Sequence, residues 1–264
     1  MQSNSLSTPQ TTTPDDIRVR ESVPNSSSLA TSRESGGTQL IGTTETIDET
    51  MSSVDPGILC FQHCNPKSKV FCLELPDYCP QCDSPMSCIE LKIPPFCVPF
   101  PFICAKRTQC SVIIRPTDGD FLHHYQNAAD LHIGLTDSKG DVYEFDKYGL
   151  QSANRSSSWN QCLSVPIVTE IDNMWKDYWD YTLQIASQLD RWQPNQYSED
   201  SNNCYSFVIT FLRMLRVKDL KPSLNSKTQF CKDFIVPRTK NAAKYIALYR
   251  RVVKEGICVL NTTQ

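Results

Sequence analysis

From residue 110 onward, apolar positions follow two different periods, and each change of period marks an element. Ser111-Val112-Ile113-Ile114-Arg115 is a β-branched run closed by Pro116 and the Asp118-Gly119 turn, which predicts a strand. Leu131 to Thr136 and Val142 to Phe145 alternate with period two, and Asp137-Ser138-Lys139-Gly140 between them predicts a hairpin. Leu131, Ile133 and Leu135 fall on one face of its first arm; His132, Gly134 and Thr136 fall on the other, where Gly134 leaves space beside the imidazole. Cys162 to Val168 predicts a further strand. The period then lengthens. Ile171 to Trp192 predicts a helix with Ile171, Met174, Trp175, Tyr178, Leu183, Ala186 and Leu189 towards one face, stopped by Pro194. Cys204 to about Val217 predicts the next, with Phe207, Val208, Phe211, Leu212 and Leu215 as its stripe and Ser201, Asn202 and Asn203 as cap candidates. Lys240 to about Glu255 predicts a third, ended by Gly256, and Ile257 to Leu260 a last strand.

Upstream the pattern is different. Residues 1–55 are rich in Ser, Thr, Glu and Asp, and the first aromatic residue is Phe61. Such a segment cannot bury enough apolar surface to offset its ordering entropy, so a disordered tail is expected. Residues 56–110 are rich in Cys and Pro with little periodicity, as in a small cap that needs a staple. Residues 111–264 carry the α+β pattern. The longest apolar run, Ile93 to Cys104, contains four prolines, which predicts an extended, covered connector and excludes a continuous helix.

The chain has 264 residues, a net charge of -3, 39% hydrophobic and 21% charged residues. That balance gives no reason to expect nucleic acid or an anionic membrane as partner. No run reaches the roughly 18 apolar residues of a membrane span, and no signal peptide is visible, so an intracellular setting is expected. There, 13 cysteines, nine of them between Cys60 and Cys110, point to metal ligation more than to disulfides.

Two positions carry candidate chemistry. Cys204 follows the cap candidates Asn202 and Asn203, at the positive end of a helix dipole, which lowers a thiol pKa. His132 lies mid-strand and would lower it further if the hairpin packed against the start of that helix. Thiolate attack on a carbonyl, with His132 shuttling the proton and first-turn N–H groups holding the oxyanion, would follow. The competing reading makes Cys204 a small buried hydrophobe and His132 a satisfied strand histidine.

In the Cys-rich region, Cys79-Pro80-Gln81-Cys82 has the spacing of a zinc knuckle, and His63-Cys64, with 14 residues between Cys64 and Cys79, is its natural partner. His63, Cys64, Cys79 and Cys82 are therefore the favoured ligands of a structural zinc, with Cys60 and Cys72 as alternatives and buried structural thiols as the competing reading. Four protein ligands would leave no open position for catalysis. His123 and His124 are expected at the surface. Lys240, Lys244, Arg250, Arg251 and Lys254 give the third helix a basic outer face, usually just a solvated one.

Asn203-Cys204-Tyr205-Ser206-Phe207-Val208 resembles the Asn-Cys-x-x-Phe motif of permuted papain-like thiol enzymes, of the desumoylating-isopeptidase and lecithin:retinol-acyltransferase types. Leu131-His132-Ile133-Gly134-Leu135 with Val142-Tyr143-Glu144-Phe145 is similar to their His strand and the next. The resemblance covers residues 130–217. It implies a permuted papain-like antiparallel sheet with packed helices, Cys204 as nucleophile and His132 as general base. Tyr205-Ser206 stands where the acyltransferases carry Glu-His, and no second histidine follows His132, so a Cys/His dyad fits better.

A wider set of blocks resembles the makorin-2 opposite-strand family: Phe61-Gln62-His63-Cys64, Cys110-Ser111, Arg115-Pro116-Thr117, Asp130-Leu131-His132, Asn203-Cys204-Tyr205-Ser206 and Val236-Pro237-Arg238-Thr239. That resemblance implies no particular reaction. Three functions remain open. One is a thiol hydrolase, peptidase- or isopeptidase-like, using Cys204 and His132 on a protein or peptide. The second is a non-catalytic interaction protein on the same scaffold with a structural zinc cap. The third is a lipid-directed thiol acyltransferase. Oligomeric state has no signature.

Overall fold

The computed structural model describes residues 55–87, 91–127, 129–153, 157–168 and 171–261. The expected disordered tail, residues 1–55, lies outside these except for Asp55. The fold is mixed α and β with two antiparallel sheets.

The larger sheet is made of β4 (Ser111–Pro116), β5 (Leu131–Thr136), β6 (Val142–Asp146), β7 (Gly149–Ala153) and β8 (Leu163–Pro166), in the order β7-β6-β5-β4-β8. The expected hairpin is β5–β6, and its turn places Gly140 at φ +84. The smaller sheet has the order β3-β1-β2-β9, from β1 (Leu59–Gln62), β2 (Ser68–Cys72), β3 (Ile93–Cys97) and β9 (Ile257–Asn261). The last strand thus pairs with β2, so the Cys-rich region and the end of the chain share one sheet. Within the proline-rich connector, Phe102 is buried and stacks on Phe121 at 4.8 Å, as a covered segment should. The β3 part of it is instead an exposed edge strand.

Helix α1 (Asn173–Ser187) starts at Asp172, whose carboxylate accepts the N–H of Trp175 at 2.7 Å, and ends at Ser187, short of the expected Trp192; Asp190–Trp192 is a separate 3-10 turn. Its buried face is Trp179, Thr182, Leu183 and Ala186, rotated from the expected stripe; Met174, Tyr178 and Leu189 face outward. Side-chain partners set that rotation. The Trp179 indole N–H donates to Thr136 O at 2.9 Å, and Asp180 accepts from the Ser138 N–H and hydroxyl at 2.9 and 2.6 Å. α2 (Cys204–Met214) buries Phe207, Val208, Phe211 and Leu212 against the sheet.

The third expected helix begins earlier than its pattern. α3 (Lys227–Phe230) runs through a π-turn at Cys231–Ile235 into α4 (Val236–Glu255), which carries Pro237. A proline lacks the N–H for the preceding turn and its ring collides with the carbonyl four residues back, here Asp233. Widening to a π-turn absorbs that collision without ending the helix. Gly256, at φ +75, closes α4 with its N–H on Val252 O at 2.8 Å.

Candidate functional site

The loop before α2 is tied down by its two asparagines. Asn202 Nδ2 donates to Arg191 O and Gln196 O, both at 2.9 Å. Asn203 caps the helix: its side-chain oxygen accepts the N–H groups of Tyr205 and Ser206 at 3.0 and 3.4 Å, and Ser206 Oγ accepts the Asn203 N–H at 3.3 Å. This capping box fixes Cys204 as the first helical residue. It also engages the first-turn N–H groups expected to hold an oxyanion. The N–H of Cys204 itself is the first-turn donor the cap leaves over.

His132 and Cys204 approach from different faces of the sheet. Ile133 and Leu135 face the helices, whereas His132 shares the other face with Arg115, its partner across the β4–β5 ladder. The two meet because the β5–β6 ladder stops at Gly134↔Glu144. Leu131 to Ile133 continue without a β6 partner, and the start of α2 packs into that open margin. There the sulfur comes near the His132 ring and the backbone N–H of Ile133, close enough for both to favour its thiolate.

His132 Nε2 lies 2.9 Å from Glu144 Oε2, which leaves Nδ1 for the thiol. Glu144 is the group that sequence reasoning missed. A glutamate on an alternating strand looks like a solvent-facing residue, and the search for a third member looked for histidine. The available signal was Gly134: it pairs with Glu144, has no side chain to intervene, and so opens the diagonal from Glu144 to His132.

The space beside the imidazole, expected to be open, is filled by Trp159. Its ring lies 5.8 Å from that of His132, and a Cβ on Gly134 would come within 3.3 Å of it. Arg115 stacks on Trp159 at 5.1 Å and stands 3.8 Å from Glu144 Oε2. The Trp159 indole N–H is buried without a partner at hydrogen-bond length, but it faces Glu144 and adds to the forces that keep that carboxylate ionised.

The electrostatics follow from these contacts. Burial opposes charge on His132, but hydrogen bonds to Cys204 and Glu144 outweigh it and push its pKa up to about 9. Burial likewise opposes a thiolate at Cys204; the His132 hydrogen bond and charge overcome it, with help from the N–H groups of Ile133 and Tyr205, and the thiol falls below its ordinary value. Glu144 is held below the usual carboxylate range: burial raises it, and the His132 contacts, Trp159 and Arg115 more than reverse that. Both shifts favour a thiolate–imidazolium pair braced by a carboxylate. The pair is closed, with 6% of Cys204 and 7% of His132 exposed.

A second cluster lies in the Cys-rich region. His63 and Cys64 sit in the turn after β1, and Cys79 and Cys82 in a tight turn where the Asp83 N–H donates to Cys79 O at 2.9 Å. Their four donor atoms lie within 4.8 Å of one another, with Cys64 Sγ 4.0 Å from Cys79 Sγ and Cys82 Sγ 3.2 Å from His63 Nδ1. Tetrahedral Zn–S bonds of about 2.3 Å would place ligand atoms about 3.8 Å apart, so one ion fits. Hydrogen bonds from the Ser84 hydroxyl and backbone bring the Cys82 thiol down to about 6, in keeping with a thiolate ligand. The alternatives Cys60 and Cys72 lie outside the cluster, buried at 1% each.

His123 and His124 are exposed as expected, but they converge on Asp120 at 3.1 and 3.3 Å. Arg250 does not belong to the basic outer face of α4; it donates to the carbonyls of Leu122 and Tyr125 at 2.7 and 2.8 Å. No helix among the described residues is long and apolar enough to cross a membrane.

Comparison with known proteins agrees with the sequence blocks. The family model described as DUF4796 C-terminal matches residues 95–252, and DUF4796 N-terminal matches residues 56–86. The human MKRN2 opposite strand protein is 30% identical over 207 residues, covering 78% of this chain and 91% of the human one. No solved structure matches. The two family models each cover one candidate site, and with the human relative they establish that the chain belongs to the makorin-2 opposite-strand family.

Proposed function

We propose that this protein is a thiol hydrolase of peptidase or isopeptidase type on a permuted papain-like scaffold, with Cys204 as nucleophile, His132 as proton carrier and Glu144 as the positioning residue of His132. The observation that carries the reading is His132 held between the Cys204 sulfur and the Glu144 carboxylate. A satisfied structural histidine does not need a thiol at a capped helix start on one side and an ionised carboxylate on the other.

The thiolate attacks the carbonyl carbon of an amide, forming a C–S bond and moving the carbonyl π pair onto oxygen. The Cys204 N–H, which the cap leaves over, donates to that oxygen in this reading. The oxyanion collapses, the C–N bond breaks, and His132 gives its proton to the leaving nitrogen. Neutral His132 then takes a proton from water, hydroxide adds to the thioester, and collapse releases a carboxylic acid and the thiolate, with His132 again protonated. Because the proton already rests on His132 in the free protein, the imidazole acts first as an acid and only in the second half as a base. Glu144 keeps the ring oriented in both.

A vinyl sulfone carried on a short peptide tests this. It should add to Cys204, and His132→Ala should slow addition by roughly 10²–10⁴-fold. Addition to Cys204 at an equal rate in both proteins would end the hydrolase reading. The 6% exposure of Cys204 favours a second reading, an interaction protein that keeps the thiol buried; no addition at all, with the fold intact, would select it. In either case His63, Cys64, Cys79 and Cys82 would hold a structural zinc, stapling a Cys-rich segment too small to build its own core.

A further inference from the structure

The two edges of the large sheet are treated differently. β8 is four residues long, ends in Pro166 and is packed by α4, all devices that keep an edge from pairing. β7, Gly149-Leu150-Gln151-Ser152-Ala153, is longer, and the Pro194–Gln196 turn packs it at its first residue, Gly149. It carries no charge and no proline, pairs with β6 in unbroken register from Asp146↔Gly149 to Val142↔Ala153, and has no partner strand on its outer side among the described residues.

A cavity of about 520 Å³ opens beside that edge. Leu150 and Ser152 form its sheet side, Gln188 and Gln193 its helical side, Trp192 its apolar wall, and Tyr148, 68% exposed, its rim. None of its lining residues carries a charge. Its volume falls within the range of about 300–1,000 Å³ typical of ligand pockets. A strand added to β7 would project every second side chain to the face that Leu150 and Ser152 share, and so towards the cavity.

We infer that the β7 edge and this cavity form a docking site for an extended segment of a partner protein, about five residues long, bound by strand addition with an uncharged aromatic or apolar side chain in the cavity. Unpaired backbone groups on β7 recognise the peptide backbone, and the uncharged lining selects the side chain. A second copy of this chain fits less well. Antiparallel β7–β7 pairing would offer the cavity only the partner copy's leucine and serine, too small to fill it. The inference is independent of the chemistry proposed for Cys204.

The test is amide hydrogen exchange on the full chain, with and without the blocked peptide acetyl-Thr-Val-Thr-Tyr-Thr-Val-Thr-amide. Those amides of residues 149–153 that point away from β6 should exchange freely in the protein alone and at least tenfold more slowly with the peptide. A peptide with Glu in place of Tyr should give no protection. Ser152→Lys and Gln193→Lys, both at exposed positions, should each abolish it while leaving exchange elsewhere unchanged. Four results would overturn the proposal: no protection by the Tyr peptide, equal protection by the Glu peptide, binding retained in both variants, or outward-pointing β7 amides already protected without peptide. If that last protection grew with protein concentration, it would instead assign the edge to a second copy.

Discussion

His132 and Glu144 sit on a diagonal of the β5–β6 hairpin, and the residue directly across from Glu144 is Gly134. The 2.9 Å contact between imidazole and carboxylate crosses the space that a side chain at 134 would take. One glycine therefore admits both the carboxylate and the Trp159 ring to the same imidazole.

Gly134→Ala should be destabilising for that reason. The new Cβ would lie 2.9 Å from Tyr143 O, a backbone atom, and 3.3 Å from the Trp159 ring. Overpacking of this kind costs about 1–3 kcal/mol. Urea unfolding of wild type and variant measures it, and an unchanged midpoint would show that the face is looser than described.

Asn203→Ala should lose about 1 kcal/mol, the usual value of an N-cap. Asn203→Ser, which keeps a capping oxygen, should recover most of it. Both are read from the same unfolding curves, and equal loss in the two variants would deny the cap its role.

The pH dependence of stability has a definite sign. Taken alone, His132, raised to about 9, contributes stability that is full below about 6.5 and lost as pH rises through 9. Taken alone, Cys204, lowered, contributes stability present above its ordinary value and lost as pH falls through its depressed one. Above the depressed Cys204 pKa the native pair binds one proton and below it two, while the unfolded chain takes its second only below about 6.5. The wild type should therefore lose stability from this pair as pH rises from about 6.5 to the Cys204 pKa, by at most about 1.4 kcal/mol per pH unit. In Cys204→Ser the contact that does most to raise His132 is lost while burial still opposes its charge, so this loss should shrink. Parallel urea midpoints at pH 5, 7 and 9 check this; the same slope in both proteins would mean that the thiol does not act on the imidazole.

Metal content is the fourth expectation. The purified chain should carry about one zinc, and the Cys79→Ser/Cys82→Ser double variant should carry none and melt at lower temperature. Metal-free wild-type protein with an unchanged melting temperature would leave four thiol and imidazole groups close together without a role.

Much of this site is legible in the sequence because its signals are local. Asn203-Cys204 marks a capped helix start, and His132 lies on a plainly alternating strand. His63-Cys64 and Cys79-x-x-Cys82 share a familiar spacing, and the structure brings all four together. What the sequence hides is set by partners. Glu144 resembles any solvent-facing strand residue until the register is known. β7 has too few apolar positions to show a period, yet β6 pairs all five of its residues. The face of α1 is turned by Asp180 and Trp179, whose bonding partners lie some 40 positions upstream. Pro237 reads as a helix boundary because a π-turn leaves no trace in residue pattern. The pairing of β9 with β2 joins two ends of the described chain that no local rule relates.

The most direct test of the central claim is the alkylation rate of Cys204 as a function of pH, followed by mass spectrometry in wild type, His132→Ala and Glu144→Gln. Burial slows all three alike, so the midpoint carries the information. The wild-type midpoint should lie below the ordinary thiol value of about 8.5, with a higher one in Glu144→Gln and the highest in His132→Ala. A wild-type midpoint at or above about 8.5, unmoved by either substitution, would show that Cys204 is a buried structural thiol and not a nucleophile.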